Sequence, residues 1–222
     1  AAAIAVRFPI HAGARPAAIL GGGSGVPVPG ELTLADRGVL FLDELAEFPR
    51  HLLDMLRQPV EEGRVHVARK GASVVFPCRA QVVAATNPCP CGHLGDPRTA
   101  CRCNPGSVER YRARLSGPLL DRFDLRVAVG RLDGNELLAP GGEPSVEVRL
   151  RVMRAREAQR ERGCVNRELQ RDRLDAMDWD AEAGSLLAAA VDRWGLTGRG
   201  WDRVRRVART IADLDGRDRM TG

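Results

Sequence analysis

The apolar positions of this chain change period from one end to the other. Val39-Leu40-Phe41-Leu42 is an unbroken apolar run of strand length, opened by Gly38 and closed by Asp43-Glu44. A run without alternation suits a strand buried on both faces, as in a parallel α/β sheet. Ala80 to Pro88 predicts a second buried strand that delivers Asn87 at its tip, and Leu125 to Val129 predicts a third. Between the first two, Leu45, Phe48, Leu52, Leu53 and Leu56 keep helical spacing, with Pro49 near the first turn and Glu61-Glu62-Gly63 closing the helix. Arg64 to Ala68 and Ser73 to Phe76 flank Arg69-Lys70-Gly71-Ala72, which predicts a β-hairpin with a basic tip. Residues 107–114 read as helix. Beyond Asp133 to Glu143, with its Pro140-Gly141-Gly142, the pattern is almost wholly helical over 145–162, 179–194 and 198–214.

The expected organisation is therefore a poorly defined lead-in over 1–30, an α/β core over 31–132, a linker over 133–144 and a helical lid over 145–222. Gly21-Gly22-Gly23-Ser24-Gly25 reads as a turn or linker. No Gly-Lys-Ser/Thr follows it, and Pro27 and Pro29 prevent a helix from starting there.

The strand ends carry the candidate chemistry. Open α/β sheets place ligands at the carboxyl ends of their strands. An Asp there can hold Mg²⁺ and a neighbouring Glu can polarise an attacking water, the pattern of a Walker B box. Asn87 offers a neutral amide that can hydrogen-bond a phosphate and its water without adding charge. Arg122 stands between Asp121 and Asp124 at the edge of the third predicted strand. It suits either stabilisation of phosphoryl charge or an ion pair with one of those carboxylates.

Taken together, GVLFLDEL (38–45), EEGRV (61–65), AATNPCPCG (84–92), CRC (101–103), SGPLLDRFDL (116–125) and VARTIADL (207–214) resemble the magnesium-chelatase-like branch of the AAA+ ATPases. Within it the similarity is to the ComM/YifB competence-type family, and it runs from about residue 20 to residue 216. The resemblance implies an AAA+ P-loop NTPase-type parallel sheet core with an inserted β-hairpin, followed by a small helical lid. It implies an ATP-hydrolysing motor that assembles as a homo-oligomeric ring, by expectation a hexamer, and acts on DNA branch migration during recombination.

By the same resemblance Asp43 would hold Mg²⁺, Glu44 would orient the hydrolytic water, and Asn87 would be the sensor that touches the γ-phosphate. Arg122 would be the arginine finger reaching a neighbouring subunit's nucleotide, with one of Arg110, Arg112 and Arg114 also facing that interface. Arg199 is the candidate second sensor in the lid, in the first turn of a helix that Thr197 can cap. Arg203 and Arg206 share its helical face and compete for the role. Arg69 and Lys70 would project on the hairpin toward DNA in the ring pore, against the alternative of a solvated turn.

Cys89-Pro90-Cys91 and Cys101-Arg102-Cys103 form two Cys-x-Cys pairs on a short Gly/Pro-rich loop. Thiolates in that layout suit a structural Zn²⁺ with four protein ligands and no open position. Free thiols and a redox pair are the alternatives, and His93 reads as a surface loop residue that could replace one thiol. Cys78 and Cys164 read as isolated buried thiols. A similar Cys-rich insertion in ComM-type proteins favours that family over the chlorophyll-biosynthesis chelatases.

Composition narrows the field only a little. The net charge is +5, and Lys70 is the only lysine among 34 basic residues, so charge alone supports DNA binding weakly. Aromatics make up 4 %, too few for a base-stacking platform. No apolar stretch reaches the roughly 20 residues that span a bilayer, and the first residues lack the basic start of a signal peptide. The expected location is cytoplasmic, with no membrane partner.

One expected part is missing. No Gly-x-x-x-x-Gly-Lys-Ser/Thr occurs, so the chain reads as a fragment that lacks the phosphate-cradling loop and would be inactive by itself. The lid likewise stops where family members continue into another helix. Besides the DNA motor, two functions remain open: the ATPase subunit of a magnesium-chelatase-type metal insertion complex, and a non-hydrolysing AAA+-like scaffold.

Overall fold

The computed structural model describes residues 6–7, 15–69 and 71–221; Lys70 lies outside them. The chain divides into two compact units, residues 1–131 and residues 132–222.

In the first unit, β1 (Val6–Arg7), β4 (Val39–Leu42) and β7 (Gln81–Ala84) form a parallel sheet in the order β1-β4-β7. Register runs from Val39 opposite Gln81 to Leu42 opposite Ala84. Leu40 and Leu42 are fully buried, whereas Val39 and Phe41 are half-buried. β7 is barer than its sequence suggests: Gln81 and Val83 are exposed, because among the described residues it is the edge of the sheet.

The apolar face of the sheet is covered by α3 (Arg50–Glu62), which follows a 3-10 turn at Leu45–Glu47. Leu52, Leu53 and Leu56 recur at helical spacing and all three are buried. Each contributes about 2 kcal/mol by leaving water. Gly63, at φ +69°, ends the helix in the left-handed conformation that glycine adopts without steric cost. From there β5 (Arg64–Arg69) and β6 (Ala72–Pro77) make the expected antiparallel hairpin, Arg69 opposite Ala72, with Val65 and Val67 turned into the core.

The lead-in is more ordered than expected wherever it is described. α1 (Pro16–Leu20) inserts Ile19 and Leu20 into the core, and β2 (Gly21–Gly22) pairs with β3 (Val28–Pro29) before α2 (Glu31–Leu34). Glycines make this fold-back feasible: a Cβ on Gly30 would lie 2.4 Å from Gly21 N and from Ile19 O. Residues 1–5 and 8–14 lie outside the described residues.

The third predicted strand does not form. Residues 125–129 carry no regular structure, with Leu125 68 %, Val127 80 % and Val129 90 % exposed. A strand needs a neighbour for its backbone groups, and among the described residues none lies beside this segment. Ahead of it come α4 (Pro105–Arg112), capped by the Asn104 side chain, and α5 (Gly117–Leu120), capped by Ser116.

The second unit holds α6 (Gly134–Leu138), α7 (Ser145–Glu161), α8 (Arg171–Asp175), α9 (Ala181–Trp194) and α10 (Gly198–Leu214). The segment expected as a linker thus contains α6, set by an Asp133–Glu136 capping box. Thr197 caps α10 through the Gly200 amide, as its sequence suggests. The inner face of α10 is unusual, since Arg205, Arg209 and Asp213 are buried there. Arg162 and Asn166 complete the network, their side chains binding Asp213 Oδ2 while Arg209 Nη2 sits 2.9 Å from Asp213 Oδ1.

Candidate functional site

Two backbone hydrogen bonds stitch the ends of β4 and β7 together. The Ala85 amide donates to Leu42 O at 2.9 Å, and the Leu45 amide donates to Ala85 O at 2.8 Å. Asp43 and Glu44 fill the span between Leu42 and Leu45, and Asn87 stands two residues past Ala85. All three therefore lie at the carboxyl edge of the sheet, and all three are exposed. Glu44 adopts φ +50°, a left-handed conformation costing roughly 1 kcal/mol for a residue with a Cβ. Its amide donates to Asp43 Oδ1 at 2.9 Å, which fixes one oxygen of that carboxylate. An exposed, oriented carboxylate at a strand end fits Mg²⁺, which takes hard oxygen ligands and keeps much of its water.

Arg122 is bound within its own unit. Its Nη2 donates to Glu61 Oε2 at 2.5 Å and its Nη1 to Pro118 O at 2.5 Å, with 19 % of the side chain exposed. The partner is therefore a carboxylate of α3, rather than the adjacent Asp121 or Asp124 weighed from sequence. Arg112 and Arg114, both exposed, are also bound within the unit. Arg112 Nε donates to Pro88 O at 3.4 Å, and Arg114 Nη1 donates to Ala46 O at 3.0 Å and Glu47 Oε2 at 2.9 Å. Arg110 is exposed.

At the hairpin, Arg69 is exposed but folds back, its Nε donating to Gly23 O at 2.9 Å. In the helical unit Arg199 is exposed in the first turn of α10 and Arg203 is half-buried. Arg206 spends both Nε and Nη2 on Leu169 O.

The four loop cysteines converge. Sγ separations are 3.5 Å for Cys89–Cys91, 3.7 Å for Cys89–Cys101 and 3.6 Å for Cys91–Cys101, and all four sulfurs, Cys103 included, lie within 4.8 Å of one another. A disulfide would need about 2.05 Å. Four sulfurs at about 2.3 Å from a tetrahedral Zn²⁺ stand about 3.8 Å apart, so this spacing fits the ion.

Without metal the thiols differ. Backbone amides of His93 and Arg102 lower Cys91 to about 6. The Cys103 amide favours the Cys101 thiolate, but desolvation and the neighbouring thiols outweigh it and raise Cys101 to about 12. His93 is outside the cluster, its Nδ1 3.5 Å from Asp96 Oδ2. Cys78 is buried, whereas Cys164 is half-buried and accepts a hydrogen bond from Arg173, so the reading of Cys164 as a buried thiol does not hold.

A parallel sheet whose adjacent strands end in Asp-Glu and Asn, followed by a helical unit, defines the class: a magnesium-chelatase-like AAA+ α/β fold. Residues 4–137 match the family "Magnesium chelatase, subunit ChlI" and residues 142–222 match its C-terminal counterpart. The chain belongs to this family. It is 45 % identical to competence protein ComM of Haemophilus influenzae over 96 % of its length, and 42 % identical to the uncharacterized protein YifB of Escherichia coli over 95 %. Identity to the chloroplastic magnesium-chelatase subunit ChlI-2 of Arabidopsis thaliana is 29 % over 87 %. The chain spans 42 % of the length of each of these relatives. Among the described residues no helix is long and apolar enough to cross a membrane.

Sequence reasoning missed Glu61, Glu47 and the partners that Arg112 and Arg114 bind within the unit. Their partners lie 24 to 68 residues away in sequence, and no local pattern announces such pairs.

Proposed function

We propose that this chain is the Walker B-to-lid portion of an ATP-hydrolysing AAA+ ring subunit that works on DNA. The observation carrying this reading is the in-register pairing that brings Asp43, Glu44 and Asn87 to one sheet edge. There Asp43 would hold Mg²⁺, which would shield the charge of the phosphates. Glu44 would orient and polarise the water, and Asn87 would hydrogen-bond that water and the γ-phosphate. Arg122 would act on a neighbouring subunit's nucleotide after leaving Glu61, and Arg199 would be the lid's contribution. The phosphate loop would come from outside these 222 residues, and the ring would be a homo-oligomer in the cytoplasm. The DNA assignment is supported by the likeness to a competence protein and by the basic hairpin tip at Arg69 and Lys70. The four thiols would hold a structural Zn²⁺.

The test is ATP turnover by the full-length protein with and without branched DNA, with Glu44→Gln as the blank. Stimulation by DNA that vanishes in Glu44→Gln supports the motor. Turnover indifferent to DNA favours a chelatase-type partner, and no turnover leaves a scaffold. The 222-residue chain alone should release no phosphate at millimolar ATP.

A further inference from the structure

Apart from Asp96, whose carboxylate accepts from the Arg98 and Thr99 amides, the loop bearing the four cysteines has little of its own to hold it. Residues 88–104 contain no helix or strand, and Leu94 is their one large aliphatic side chain. Its internal backbone bonds include only short turns such as Gly92 N to Cys89 O and Asp96 N to His93 O. Four metal–sulfur bonds would be its principal anchor.

Both ends of this loop lead to the strand-end residues. At the near end Cys89 is fully buried two residues after Asn87, and the loop folds back so that a Cβ on Gly92 would lie 3.9 Å from Asn87 Oδ1. At the far end Cys103 abuts Asn104, whose side chain accepts from the Ser107 amide at 2.8 Å and starts α4. α4 then returns to the site: Arg112 reaches Pro88 O, beside Asn87. Arg114 reaches Ala46 O and Glu47, in the turn that begins immediately after Asp43-Glu44.

We infer that the four-thiolate knot is a clamp on the hydrolytic centre. Metal bound at Cys89, Cys91, Cys101 and Cys103 fixes Asn87 directly and fixes the Asp43-Glu44 turn through α4, with Arg114 as the positioning residue. This rests on the zinc reading above and extends it from loop stability to the geometry of the nucleotide site. Arg114 touches no nucleotide in this scheme. It holds the backbone of the turn that presents Glu44, so that loss of the metal at one end of α4 is felt at the other.

Amide hydrogen exchange on the 222-residue chain tests the clamp without requiring ATPase activity. The chain is loaded with zinc chloride, then stripped with a chelator. The clamp predicts faster exchange in 88–104 and also at the Leu45 and Ala85 amides, by about tenfold or more. In Arg114→Ala and, independently, Glu47→Gln, zinc should bind with unchanged stoichiometry while the response of 43–48 to chelation shrinks or disappears. Acceleration confined to 88–104 overturns the clamp and leaves the zinc reading intact. A response of 43–48 that persists undiminished in Arg114→Ala overturns the route through that residue. Failure of the wild-type chain to take up zinc overturns the reading on which the clamp rests.

Discussion

Arg122 and Glu61 are joined at 2.5 Å, a guanidinium just beyond α5 bound to a carboxylate in the last turn of α3. A half-exposed pair of this kind contributes only about 0.5 kcal/mol to stability, so its loss is affordable if Arg122 is needed elsewhere. The proposed finger role makes the two partners respond differently. In the full-length protein, the proposed role has Arg122→Ala lower ATP turnover by about 10³-fold with ATP binding retained. Glu61→Gln, which loosens the guanidinium, should leave turnover at or above wild type. Equal losses in the two variants, measured as kcat, would mean that the pair serves structure alone.

The uneven thiols of the metal-free loop give a second expectation. Thiolates, and not thiols, are alkylated. Cys91, lowered to about 6, should therefore react first with iodoacetamide at pH 7, and Cys101, raised to about 12, should react last. Labelling of Cys91 should fall off as the pH drops through about 6. Saturating zinc should protect all four. Peptide mass mapping reads each site separately, and uniform labelling of the four cysteines would refute the ordering.

These residues also show what could be read from the chain itself. Asp43, Glu44 and Asn87 could be placed at one edge because an apolar run ending in polar groups encodes both the strand and its exit. The four cysteines announced themselves by spacing. The segment 125–129 misled for a physical reason: its Leu-x-Val-x-Val alternation records a wish to pair, and alternation cannot say whether a neighbouring strand is there. Arg114, Glu47 and Glu61 were invisible because a charged residue on a helix or in a turn looks solvated until the tertiary fold brings its partner near. In α10 the sequence shows only a row of arginines, and Arg205 and Arg209 proved buried.

The turn between α1 and α2 offers a stability test. Gly30 precedes α2, and a Cβ there would sit 2.4 Å from both Gly21 N and Ile19 O, which are backbone atoms that cannot swing aside. Gly30→Ala should cost on the order of 2 kcal/mol, in the range of core overpacking. Gly25→Ala, where nothing lies within 4 Å, should be close to neutral. Urea unfolding of the two variants side by side would decide it. Equal stability would mean that the fold-back of residues 15–30 onto the core is wrong.

Asp213 contributes to the acid sensitivity of the helical unit. Burial opposes its charge, but hydrogen bonds from Arg162 and Asn166 and the charges of Arg209 and Arg162 outweigh that, so its carboxyl titrates below the ordinary value. A depressed pKa in the folded state means that the stabilisation is present above the unfolded value of about 3.9 and is lost as the pH falls through the lower folded value. Asp213→Asn keeps the size of the side chain but leaves Arg162 and Arg209 without their shared anion, which should cost about 3 kcal/mol at pH 7. The same variant should flatten the fall in stability below about pH 4. All three tryptophans, Trp179, Trp194 and Trp201, lie in residues 132–222, so fluorescence-detected urea unfolding reports this unit selectively. A cost below about 1 kcal/mol, with the acid slope unchanged, would show that the arginines find other partners.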